Sequence, residues 1–265
     1  MRIARLLLSF VLSPLFLIPS AAQQTATSAQ RDAQAVSVLG RALTAAGGVS
    51  AVGAITNYTA TGTITYHWAG QDVTGSVTVS GRSLDQFRMD ASLPTGVRSW
   101  AASRGVTSQR AEDGSVSRTP GFATLNPSSF ALPYLLLAAA LKSPNCSLLF
   151  RGEVGVDGHS AYDIQVRTDL PAGSDPRSSS TGIDITDYFI DSSTLQVLMM
   201  RNMARPPRNS LDGPVHEIRF SDYRAANGVA VPFSIKEAVG GQETWVMHLS
   251  NVTLNPGLSA STFQL

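Results

Sequence analysis

Residues 220–254 read FSDYRAANGVAVPFSIKEAVGGQETWVMHLSNVTL. The pattern is strand, tight turn, strand, tight turn, strand. Asn227-Gly228 and Gly240-Gly241 supply the positive φ angles that two-residue hairpin loops need. Between them Val229, Val231, Phe233, Ile235 and Val239 fall on one strand face, and Ser234, Lys236 and Ala238 on the other. A three-strand meander at this point of the chain suggests a sheet that curves around something. It names no chemistry by itself.

Working outward, the same pattern fills most of the chain. Tyr58–Trp68 sets Thr61, Thr63 and Thr65 opposite Ile64, Tyr66 and Trp68, and Ala69-Gly70 turns it. Val73–Ser80, Phe87–Leu93, Val97–Ala102 and Val106–Ala111 follow, with Asp113-Gly114 as a further hairpin signal. Later strands are expected at Cys146–Val156, Tyr162–Leu170, Ile183–Ile190 and Leu195–Met203, with turns at Asp157-Gly158 and Asp191-Ser192-Ser193. The Ser/Gly/Pro-rich stretch Ala172–Gly182 and the proline-rich stretch Ala204–Pro214 read as loops. The total is about 11 or 12 strands, mostly joined by hairpins, in one mainly β (α+β) domain over residues 32–265.

Two segments depart from this. Asp32–Ala46 carries Ala35, Val36, Leu39, Leu43 and Ala46 at helical spacing and is stopped by Gly47-Gly48. A second helix is predicted over Phe130–Leu141, with Asn126 as cap, Pro127 at its first position and Ser143-Pro144 as its end. Phe130–Leu141 has almost no polar atoms and is too short to span a bilayer. A helix apolar on all sides must be buried or must cover something apolar.

The first 22 residues fix an expected compartment. Arg2 and Arg5 precede an apolar run of about 13 residues, and Ser20-Ala21-Ala22 offers a small-residue exit. This is a secretory signal pattern, and a membrane span needs about 20 apolar residues. The mature chain is expected to be periplasmic, or extracellular, with residues 23–31 as a flexible lead-in and no transmembrane segment. No cysteine follows the apolar run, so lipidation there is excluded. Removing Arg2 and Arg5 takes the balance from 20 basic against 19 acidic residues to 18 against 19. A near-neutral chain has no electrostatic footprint for nucleic acid. Cys146 is the single cysteine, so no internal disulfide forms, and its neighbours Leu148-Leu149-Phe150 place it at the start of a buried strand.

The search for chemistry returns little. His67, His159, His216 and His248 show no metal-ligand spacing, so no metal and no cofactor is expected. There is no Gly-x-Ser-x-Gly elbow and no phosphate-binding glycine loop. Asp184, Asp187 and Asp191 surround a strand and a turn, with Asp184 on the opposite face from the other two. Two features remain. One is the excess of large apolar side chains in strands: Tyr66, Trp68, Phe87, Met89, Met199, Met200, Met203, Trp245 and Met247. The other is the helix 130–141. Together they fit either a filled β core or a curved sheet with an apolar concave side closed by helices, which would take an acyl chain. Burial of apolar surface, at about 25 cal/mol per Å², would supply the binding energy without a catalytic group.

The local text resembles that of the LolA/LolB-like superfamily of periplasmic lipoprotein carriers and outer-membrane lipoprotein-sorting proteins. Tyr188-Phe189-Ile190-Asp191-Ser192-Ser193-Thr194-Leu195-Gln196-Val197 is similar to its strand–Asp-turn–strand hairpin. Ser221-Asp222-Tyr223-Arg224 through Gly228-Val229-Ala230-Val231-Pro232-Phe233 is similar to its next hairpin, and Leu254–Phe263 to its closing segment. The resemblance implies a half-open antiparallel barrel with a helical lid, binding a lipid acyl chain or a lipoprotein. It makes 130–141 lid or plug material and Tyr66, Trp68, Phe87, Met89, Phe130, Leu132, Leu135, Leu136, Met199, Trp245 and Met247 the candidate lining. The family's dedicated carriers hold the lid with an arginine, for which Arg88, Arg98 and Arg104 are candidates. The alternatives are an envelope protein-interaction or stress-sensing module with a filled core, and, further off, an envelope hydrolase built from distant residues.

Overall fold

A computed structural model describes residues 29–103, 106–120, 132–169, 183–203 and 214–265. Among the described residues, thirteen strands form one antiparallel sheet. They are β1 (Asn57–Trp68), β2 (Gln71–Arg82), β3 (Gln86–Leu93), β4 (Gly96–Ser103), β5 (Val106–Arg110), β6 (Val116–Pro120), β7 (Cys146–Val156), β8 (His159–Asp169), β9 (Ile183–Asp191), β10 (Val197–Met203), β11 (Val215–Ala226), β12 (Val229–Val239) and β13 (Gln242–Leu254). The order across the sheet is β6-β5-β4-β3-β2-β1-β13-β12-β11-β10-β9-β8-β7. The sheet does not close, so β6 and β7 are its edges. Among the described residues, three α-helices accompany it: α1 (Ala33–Ala45), α2 (Val49–Gly53) and α3 (Pro133–Lys142).

The hairpins form where the turn residues lie. Asn227 and Gly228 (φ 46° and 79°) and Gly240 and Gly241 (φ 58° and 79°) take the left-handed conformations that the meander requires. Ala69 and Gly70 do the same between β1 and β2. The sheet has one strand more than the upper expectation. Val116–Pro120, too short and polar to read as a strand, pairs along β5, and β11 starts at Val215, five residues before Phe220.

Helix α1 starts where expected. Asp32 caps it by accepting from the Gln34 N–H at 2.8 Å, and α1 buries Ala35, Val38, Leu39, Ala42 and Leu43. Its N-terminal end is tied to the edge strand β7: the Asp32 N–H donates to Leu148 O (2.9 Å) and the Leu148 N–H to Gln30 O (2.8 Å). Its far end reaches the β11–β12 turn, where the Ala230 N–H donates to Ala46 O (2.9 Å). Gly47 (φ +117°) sits so close to Gly228 that a Cβ would lie 2.3 Å from the Gly228 carbonyl oxygen. The helix therefore crosses one side of the sheet from edge to middle.

That side carries one contiguous apolar cluster, drawn from α1, α2, α3, β1–β3 and β7–β13. On the other side of β7–β10, Val156, Ala161, Phe189 and Met199 form a small separate cluster.

Candidate functional site

Helix α3 is buried nearly all round. Pro133, Tyr134, Leu135, Leu136, Leu137, Ala138 and Ala140 are buried, as a helix without a polar face requires. It begins at Pro133, inside the predicted 130–141 segment; Phe130, Asn126 and Pro127 lie outside the described residues. Tyr134 packs on Tyr223 of β11, with ring centroids 6.0 Å apart, and the Tyr223 hydroxyl donates to Val197 O at 2.7 Å. Desolvation pushes the Tyr134 phenol up to about 12 and the Tyr223 phenol well above its ordinary value. Both stay neutral and serve as packing groups with one polar handle.

One arginine holds this helix in place. The Arg31 guanidinium donates through Nη2 to Leu141 O (2.7 Å) and through Nη1 to Ser143 O (2.7 Å), with Ala140 O and Cys146 O each at 3.5 Å. Ala140 and Leu141 carry the last carbonyls of α3, Ser143 caps it and Cys146 opens β7; carbonyls at a helix end lack partners inside the helix, and a cation there also meets the negative end of the helix dipole. Arg88, one of the sequence candidates for this role, instead pairs with Asp90 through Nε (2.7 Å) and Nη2 (3.0 Å) and donates through Nη1 to Thr262 O and Gln264 O. Arg98 lies over Tyr66 and Trp68, and Arg104 lies outside the described residues. Nothing in the text around Arg31 signals its partners, because they lie more than a hundred positions along the chain.

Nine candidate lining residues come together in the main cluster. Phe87, Met247, Leu132, Tyr66, Trp245, Met89, Leu135 and Leu136 are all at most 9% exposed, and Trp68 packs at the margin. Register explains the convergence. Tyr66 stands opposite Trp245, and Ile64 opposite Met247, across the β1–β13 pair, while Met89 stands opposite Val79 and Phe87 opposite Gly81 across β2–β3. Gly81 leaves room for the Tyr58 ring, which a Cβ would meet at 2.3 Å.

Met199 lies elsewhere. A bulge in β10 between Val197 and Met199 shifts the pairing with β9, so that Val197 opposes Ile190 but Met199 opposes Phe189. The extra residue, Leu198, reverses the side on which the strand's next side chains point. Met200 joins the helix-facing cluster, and Met199 joins the small one behind it.

At one margin the apolar wall turns polar. His216 Nε2 lies 2.9 Å from Glu237 Oε1, its Nδ1 lies 3.3 Å from Asn202 Oδ1, and the Thr244 hydroxyl donates to Glu237 Oε2. Glu237 stands opposite Trp245. Sequence reading weighed His216 only as a metal ligand and offered none of the others, since each lies in an otherwise ordinary strand.

Within the acidic trio, Asp187 and Asp191 each have their own structural partners. Asp191 is a turn former: its Oδ1 accepts from the Ser193 N–H (2.8 Å), the Ser193 hydroxyl (2.6 Å) and the Thr194 N–H (2.7 Å). Asp187 accepts from Gln165 at 3.0 Å. Among the described residues no three His, Cys, Asp or Glu side chains group as a metal site, and no helix is long and apolar enough to cross a membrane. Cys146 is buried, and its Sγ lies 3.3 Å from the Thr168 hydroxyl.

Comparison by sequence returns no matching family model and no matching curated protein. Comparison by structure is informative. A DUF1329 family protein from Desulfovibrio piger aligns over 87% of this chain and 96% of its own, with 15% identity and a TM-score of 0.54. A LolA superfamily protein from Nitrosomonas europaea aligns over 85% and 96%, with 12% identity and a TM-score of 0.52. A domain provisionally named for outer-membrane lipoprotein sorting, from Vibrio parahaemolyticus, aligns over 86% and 95%, with 9% identity and a TM-score of 0.50. The chain shares the fold of these structures, an open antiparallel sheet with helices along one side.

Proposed function

We propose that this protein is a non-enzymatic binding protein of the cell envelope that holds an acyl chain, free or on a lipidated protein, between the sheet and α3. The observation that carries the reading is the burial of an almost wholly apolar helix on the side of an open sheet that bears its main apolar cluster. Tyr66, Trp68, Phe87, Met89, Leu132, Leu135, Leu136, Trp245 and Met247 would line the space. Phe130 is proposed as part of the same lid. Flexible Met89 and Met247 suit a wall that adapts to varied chains. The likeness in fold to LolA superfamily proteins supports this reading, and so does the secretory pattern of residues 1–22.

Replacing Leu135 or Leu136 with Asp tests it. A carboxylate on α3 is expected to weaken uptake of a hydrophobic dye by about tenfold or more, because an unpaired charge in an apolar site is costly. The far-UV spectrum should keep its β signature. Undiminished uptake in a folded variant would remove α3 from the site. The depth to which α3 is buried favours one alternative, a permanently filled core whose outside recognises an envelope protein. Native mass spectrometry separates the two: copurified lipid supports the carrier, and an apo mass that takes up no added fatty acid supports the filled core.

A further inference from the structure

We infer that Arg98 reads the anionic head of an amphiphile whose acyl chain lies along the apolar wall; this rests on the acyl-chain reading above. Arg98 is in β4, opposite Ala91, and Ala91 belongs to the helix-facing cluster, so Arg98 stands on the same side. Its place is at the rim, in the third position of β4 after the β3–β4 turn. From there the wall becomes apolar through Tyr66 and Trp245 to Ile64 and Met247.

The guanidinium carbon lies 4.5 Å from the Trp68 ring centroid and 5.5 Å from that of Tyr66. These two rings are stacked at 4.8 Å. A guanidinium over aromatic faces is held by cation–π attraction while its N–H donors remain free to bond at its edge. Among the described residues those donors make no hydrogen bond. The nearest carboxylate oxygen, Glu112 Oε1, is 3.6 Å from Nη1, and that oxygen is itself buried without a hydrogen-bond partner. The Arg98 side chain is 42% exposed. A positioned, open fork of donors beside an apolar wall is the chemistry that takes a carboxylate or phosphate in two parallel hydrogen bonds. A fatty acid and a phosphorylated lipid both carry such a head. Glu112 acts against the anion, which sets a second, opposite expectation.

The test compares palmitate, hexadecyl phosphate and hexadecanol, which share one alkyl chain, by displacement of a fluorescent probe from the purified protein. The two anions are expected to bind at least about tenfold more tightly than the alcohol. Arg98→Gln should erase that preference and leave hexadecanol binding unchanged. Glu112→Gln should strengthen both anions severalfold. Palmitate ahead of hexadecyl phosphate would name the carboxylate as the source, and the reverse order the phosphate. Equal binding of all three by the unmodified protein, or equal losses for all three in Arg98→Gln, overturns the inference while leaving the acyl-chain site standing. Failure of all three to displace the probe overturns both.

Discussion

At Asp191 burial and hydrogen bonding pull in opposite directions. Desolvation raises the carboxyl, but hydrogen bonds from Ser193 and Thr194 outweigh it and bring it down to about 2. A carboxylate with a depressed folded-state value stabilises the fold above its ordinary range, and this contribution is lost as pH falls from about 4 through about 2. Asp191→Asn is expected to cost about 2 kcal/mol at neutral pH and to flatten the loss of stability below pH 4. Urea titrations across that range check both. Arg31 sets a second expectation at this scale. Arg31→Ala removes two 2.7 Å charge-assisted bonds, to Leu141 O in the last turn of α3 and to Ser143 O at its cap, and should destabilise by about 2 kcal/mol, read as a lower denaturation midpoint. Arg31→Lys should recover only part, since a point charge does not span two carbonyls as a fork does.

At the scale of elements, the junction of α1 and α2 docks on the β11–β12 turn through Gly47. Gly47→Ala meets both a positive φ and the Gly228 carbonyl, so a loss of about 2–4 kcal/mol is expected, checked by thermal unfolding. Glycine at such a joint is legible in sequence only as a helix stop, and the Gly228 it touches lies 181 positions away. The same division runs through the other elements. Turn chemistry announces itself locally, so Asn227-Gly228, Gly240-Gly241, Ala69-Gly70 and Asp113-Gly114 place their hairpins correctly. The bulge at Leu198 has no local sign, and without it Met199 reads as a residue of the main cluster. Strand β6 is missed because Val-Ser-Arg-Thr-Pro gives no alternation. Of the candidate site, the apolar wall is legible because large side chains repeat at period two. The groups that fix its helix and mark its rim, Arg31, Arg98 with Glu112, and His216 with Glu237, depend on long-range pairings that residue spacing does not encode.

For the whole molecule, the C-terminal segment is a strap. The short 3₁₀ turn Ala260–Phe263 rests on β3 and β4, with Phe263 2% exposed. Arg88 holds Thr262 O and Gln264 O, and Arg118 in β6 holds Leu265 O at 2.9 Å. Phe263→Ala should cost about 3 kcal/mol. Hydrogen exchange should accelerate first in β4–β6, the edge that the strap joins to the rest, and little in β7–β9. A uniform rise across the sheet would show instead that Phe263 supports the fold globally.

The strand order carries a consequence for how such a chain comes into being. Every neighbouring pair in the sheet is consecutive in sequence except one, β1 with β13. The first six strands can zip as one meander and the last seven as another, each by short-range closures that cost little entropy. The seam between them joins Tyr58 to Leu254 and Tyr66 to Trp245, and it waits for the last strand to be delivered. A chain threaded through a translocation pore from its N-terminus would stay two open ribbons until release. A version ending before Gln242 should remain divided, with both seam edges exposed to any chaperone that patrols the compartment.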